Sequence, residues 1–106
     1  MNRFGGFGGG NNMQALMRQA QKMQEDALRA QKEVDETELE GSASGGLVKV
    51  TITGAKNVVG ISIDPSIVDP DDVEMLEDLV VAAFNDATAK ADALKQQKLG
   101  AFGQLM

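Results

Sequence analysis

Apolar residues recur at helical spacing along the first third of the chain. Met13, Leu16, Ala20, Met23, Ala27, Ala30 and Val34 follow one another in alternating steps of three and four. That spacing puts them on one face of a helix of about 22 residues, roughly 33 Å long. Neither Gly nor Pro interrupts the stretch. At about 100° per residue, Arg18, Lys22, Arg29 and Lys32 fall within an arc of roughly 80° on the opposite face, with Glu25 among them. The pattern predicts a helix with an apolar seam and a basic back. Such a seam suits a two-helix hairpin within the chain, a coiled-coil contact with a second chain, or both.

The period then changes to two. Residues 37–43 alternate Thr, Leu and Gly against Glu38 and Glu40, which predicts a short strand with one acidic solvent face. In LVKVTIT, residues 47–53, Val48, Val50 and Ile52 share one face while Lys49, Thr51 and Thr53 share the other. Val59, Ile61 and Ile63 repeat that pattern in VVGISI. Ser44-Gly45-Gly46 and residues 54–57 are short and turn-forming, so the three strands are expected to form an antiparallel meander.

A second helix follows. Asp69 is the expected cap, Pro70 fits the first helical position, and Asp71 and Asp72 sit where the helix dipole favours negative charge. Val73, Leu76, Val80, Ala83, Phe84, Ala87, Ala91 and Leu94 continue an apolar stripe towards Lys98. About seven turns are available, while a small sheet needs about four to cover it, so some helix must project beyond the core. The expectation is an α+β fold of order α-β-β-β-α. A single domain over residues 13–99 lies between a flexible Gly-rich tail at 1–12 and a flexible tail at 100–106.

Composition narrows the function. At 106 residues the chain has room for one modest core, and with 4% aromatics and no Trp or Tyr its packing is thin, so an identical subunit is an economical partner surface. It lacks Cys and His, which excludes disulfides, thiolate metal sites, a Cys nucleophile and a Ser-His-Asp arrangement. The carboxylates Asp64, Asp69, Asp71 and Asp72 cluster around two prolines and read as turn and cap chemistry, without the central Gly and terminal Glu of a calcium loop. GFGGG near the amino terminus has no preceding strand and no following G-K-[ST], so it reads as tail and not as a phosphate cradle. No enzyme activity, metal, cofactor or small-molecule substrate is expected. No apolar run approaches the roughly 18 residues of a membrane span and no signal-peptide core is present, so no membrane contact is expected and the compartment reads as cytoplasmic.

A net charge of −6 speaks against nucleic acid until the charges are mapped. Residues 35–86 carry twelve acids and two bases, whereas 13–34 carry four bases against three acids and 87–106 carry three against one. The excess acid is central and both ends are net basic. From spacing alone, a Lys/Arg face is more often a solvated surface than a DNA contact, and Lys90, Lys95 and Lys98 also suit a helix C-terminus.

MRQAQKMQ at 17–24, SGGLVKVTITG at 44–54, ISIDPSIV at 61–68 and DDVEMLEDLVVAAFNDA at 71–87 shift that balance. In this order and spacing, over about residues 13–94, the chain resembles the YbaB/EbfC family of bacterial nucleoid-associated proteins. The resemblance implies a homodimer whose paired sheets form the body and whose terminal helices protrude like tweezer arms around double-stranded DNA. Arg18 and Lys22 match basic positions of the family's first-helix motif, and Lys90 matches one after N-D-A; Ala89 stands where relatives often carry Arg or Lys.

The expected DNA-binding residues are therefore Arg18, Lys22, Arg29, Lys32, Lys90, Lys95 and Lys98. They are expected to meet phosphates, with little base reading and a role in nucleoid organisation and gene expression. The competing reading is a protein-interaction module that uses the helical seam and the acidic middle segment, with no direct DNA role.

Overall fold

The computed structural model describes residues 2–100, with side chains from Asn12 onward. Helix α1 spans Asn2–Glu36, strands β1, β2 and β3 span Glu38–Ala43, Val48–Thr53 and Val58–Ile63, and helix α2 spans Val73–Leu99. This is the expected α-β-β-β-α order and an α+β fold. The sheet is antiparallel in the order β1-β2-β3. Residues 101–106, most of the expected C-terminal tail, lie outside the described residues.

Two boundaries differ from the sequence pattern. Helical backbone in α1 begins at Asn2, not at Met13, across the segment whose glycines suggest a tail. Extending an existing helix adds one hydrogen bond per residue fixed, so a helix nucleated further along continues into a stretch that would not nucleate by itself. At the second helix the cap is Asp72, whose carboxylate accepts the Met75 amide at 3.2 Å. Asp69 instead closes the preceding turn, accepting the Asp71 amide at its side chain (2.9 Å) and the Asp72 amide at its carbonyl (2.9 Å). Pro70 thus serves a turn and not the first helical position.

Helix α2 lies across β1 and β2. Val48, Val50 and Ile52 project from β2 onto Ala83, Ala87 and Ala91, with Leu39, Ala43, Leu76, Leu79, Val80 and Phe84 packed around them. Alanines on the helix let the backbones approach closely. A Cβ on Gly41 would fall 2.1 Å from the Ala83 carbonyl oxygen, so β1 rests directly on the α2 backbone. Gly54, at the β2–β3 turn, meets the Val34 carbonyl of α1 as closely.

Strand β3 is left uncovered. Ile63, Ile61 and Val58 lie opposite Val48, Val50 and Ile52, and a register shift between Thr51 and Ile52 inserts Val59 as an extra residue. Val58, not Val59, therefore completes the inward row, because a bulge moves the alternation by one. Val58 and Ile61 remain more than half exposed, since α2 reaches only the first two strands.

Helices α1 and α2 overlap only at their C-terminal ends. Ala27 and Val34 of the seam are buried, whereas Met13, Leu16, Met17 and Met23 are exposed. With α1 about 52 Å and α2 about 40 Å long, end-to-end overlap accounts for principal extents of 84 × 17 × 16 Å. The arm that projects is the amino-terminal part of α1. The chain exposes 7515 Å², about a third more than the roughly 5,700 Å² of a compact monomer of this mass.

Candidate nucleic-acid interface

The seam decides which way the basic residues point. Because Ala27 and Val34 are the α1 residues turned inward, Arg18, Lys22, Arg29 and Lys32, half a turn around, stand on the opposite side. From Arg18 to Lys32 they extend over about 21 Å of helix, a length along which duplex DNA presents roughly a dozen phosphate charges. Lys95 and Lys98 are exposed on the last turns of α2. An open cleft of about 360 Å³ at the helix junction, lined by Glu33, Val34, Glu36, Thr37, Leu94 and Lys98, puts Lys98 beside the end of α1.

The seven expected contacts separate into two groups. Among the described residues, Arg18, Lys22, Lys32, Lys95 and Lys98 have no carboxylate within 4.0 Å. Arg29 forms an exposed pair with Asp26 at 3.2 Å, an i,i+3 contact that a phosphate readily displaces. Lys90 is engaged within the fold. Its ammonium donates to the Glu40 carbonyl at 2.9 Å and lies 3.4 Å from the Asp86 carboxylate. Lys56 is likewise tied by its 2.7 Å pair with Asp92, which fastens the β2–β3 turn to α2.

Asp86 also accepts the Ser42 amide at 3.0 Å. That bond holds its carboxyl below the usual aspartate range, against a smaller desolvation effect and with help from Lys90. Asp64, whose carboxylate accepts the Ser66 amide, is lowered for the same reason. An Asp and a Lys four residues apart on a helix are visible in sequence as a local pair. Their attachment to β1, from 44 and 50 residues away, is not.

Charge is segregated along the molecule. No Lys or Arg occurs between Val58 and Ala89, where eight acids lie, all of them from Asp64 onward, so the segment after β3 and the first turns of α2 are acidic. Among the described residues no cluster of His, Cys, Asp and Glu is arranged to hold a metal, and no helix is long and apolar enough to cross a membrane. What this surface offers is fixed positive charge on the helices of an α+β fold.

The chain belongs to the YbaB/EbfC DNA-binding family, whose model matches residues 9–106. That is a family of DNA-binding proteins, not of enzymes. A nucleoid-associated protein of Streptomyces avermitilis is 56% identical over 97 residues, covering 92% of this chain and 86% of its own. One from Rhodococcus jostii is 53% identical over 93 residues, covering 88% and 82%. One from Mycobacterium tuberculosis is 46% identical over 97 residues, covering 92% and 73%. The fold is similar to the crystal structure of an uncharacterized Helicobacter pylori protein, with a TM-score of 0.63 at 23% identity over 86% of this chain and 94% of that one.

Proposed function

We propose that this chain is a nucleoid-associated protein that grips double-stranded DNA as a homodimer. Contacts to phosphates come from Arg18, Lys22, Arg29 and Lys32 on α1 and from Lys95 and Lys98 on α2. The observation that carries the reading is the row of basic side chains along a projecting helix, all but Arg29 without an acidic partner among the described residues. Lys90 belongs to the expected set by resemblance; its ammonium is already engaged by Glu40 and Asp86, so a phosphate contact there would compete with those bonds. Phosphate contacts without base reading give weak sequence selectivity, and nucleoid organisation and altered gene expression are the consequences.

The homodimer rests on surface chemistry. Val58, Val59 and Ile61 leave an exposed apolar strip along β3, on a chain whose large fully buried side chains are only Val34, Val48, Val50 and Ile52 among the described residues. A second copy against that strip removes apolar surface from water at about 25 cal/mol per Å² and leaves the α1 arms free.

The test is fluorescence anisotropy of a labelled duplex of about three helical turns, at low and physiological salt, with wild type and an Arg18→Glu/Lys22→Glu variant. Each phosphate contact removed flattens the plot of log Kd against log salt by about 0.9. The variant replaces two such cations per chain, four in a dimer, and so flattens it by about 3.6. Wild-type binding that is absent at both salts, or a variant with an unchanged slope, removes this interface.

A second reading, a protein-interaction module, is favoured by the exposed seam at Met13, Leu16 and Met23 and by the acidic stretch from Asp64 to Asp86. Partners that survive nuclease treatment in a pull-down, together with no DNA binding, would support it.

A further inference from the structure

A three-stranded open sheet has two edges, and this one treats them differently. In an antiparallel ladder each residue sends its amide and carbonyl to the same side. On β1, Glu40 and Ser42 are the residues whose groups point away from β2, since the Glu40 carbonyl meets Lys90 and the Ser42 amide meets Asp86. Both bonds come from one turn of α2, and the two side chains are 3.4 Å apart, so the middle of the β1 edge is closed by a single acid–base clasp. The β3 edge has no counterpart. Among the described residues no side chain bonds to the backbone of residues 58–63, and the strand's Val58, Val59 and Ile61 are exposed.

We propose that Asp86 and Lys90 guard the β1 edge against strand addition by a second copy of this chain, so that self-association is confined to β3 and stops at the dimer. This rests on the homodimer reading. A symmetric contact through β3 occupies both β3 strands and leaves the two β1 edges at the outer ends of the assembly. Were those edges open, each dimer would present two templates and association would continue without closing. Covering the edge with paired charges prevents this, because an incoming strand must first displace both side chains to reach the Ser42 amide and the Glu40 carbonyl. Glu38 and Glu40 add repulsion between two β1 strands, which salt screens.

Sedimentation velocity of the full chain over a range of concentrations, in salt high enough to screen those glutamates, tests the idea. Asp86→Ala/Lys90→Ala, folded by circular dichroism, is expected to gain mass with concentration to roughly twice the wild-type value and beyond. Adding Ser42→Pro to that variant should return the mass to that of wild type, because proline removes an outward amide without touching the ladder to β2. A change that merely loosened the fold would not be reversed in this way. A folded double variant that keeps the wild-type mass at every concentration overturns the proposal. If the double variant does not fold, Lys90→Met, which keeps the aliphatic stem and the Asp86–Ser42 bond, decides on the same readout. Wild type sedimenting as a monomer removes the dimer reading, and the guard is then judged by whether the variants associate beyond that monomer.

Discussion

Replacing Gly41 by alanine tests whether the α2–β1 contact holds this small body together. The new methyl carbon would fall 2.1 Å from the Ala83 carbonyl oxygen, 2.3 Å from the Ala87 nitrogen and 2.7 Å from the Ala87 α-carbon, all of them backbone atoms that no rotamer change can move. Ordinary contact begins near 3.5 Å, so the helix must lift by about 1.4 Å. A gap of about 0.5–1 Å already forfeits a quarter to a half of the dispersion well, and here it opens over Val48, Val50 and Ile52 together. The lift also stretches the Ser42–Asp86 and Glu40–Lys90 bonds, which are 3.0 and 2.9 Å long. A cost at the upper end of the overpacking range, about 3 kcal/mol, exceeds the gain of about 0.4–1 kcal/mol from a stiffer unfolded chain. At about 4–8 °C per kcal/mol for a domain of this size, the net loss of about 2–2.6 kcal/mol should lower Tm by about 8–21 °C. Thermal melts followed by circular dichroism measure it directly. A variant melting within about 4 °C of wild type would refute the reasoning, because the backbone contact would then have slack that the packing denies.

Two further outcomes follow from the surface and from Asp86. Ile61→Lys changes a side chain that is 53% exposed, so it should leave the monomer's fold intact within about 0.5 kcal/mol; a strip used for dimerisation should nevertheless release monomers on sedimentation, and an undisturbed dimer would exclude that strip. Asp86, held below its ordinary range chiefly by the Ser42 amide, contributes stability that is present above the unfolded pKa, about 3.9, and is lost as pH falls through the folded value. The difference in Tm between wild type and Asp86→Asn should therefore be constant near neutrality and shrink below about pH 4; a difference that stays constant into strong acid would show that the carboxylate charge contributes nothing.

The periodicities of this chain were enough to determine its elements. Steps of three and four from Met13 to Val34 and from Val73 to Leu94, and the alternation through Val48, Val50 and Ile52, respond to local geometry that any partner surface must accept, so helices, strands and the meander were legible. The resemblance carried by residues 17–24, 44–54 and 71–87 brought the family with it. Three matters were decided only by tertiary structure. Which strands α2 covers depends on where Gly41 lets the helix settle, and that choice leaves Val58 and Ile61 in the open although they continue the inward row. The bulge that replaces Val59 by Val58 is a property of pairing and not of composition. Lys90 reads as one basic residue among seven until the fold brings it to Glu40, 50 residues away in sequence. Sequence spacing reports what shares a face; what that face meets depends on contacts between segments far apart in the chain, and those determine which charges are engaged within the fold.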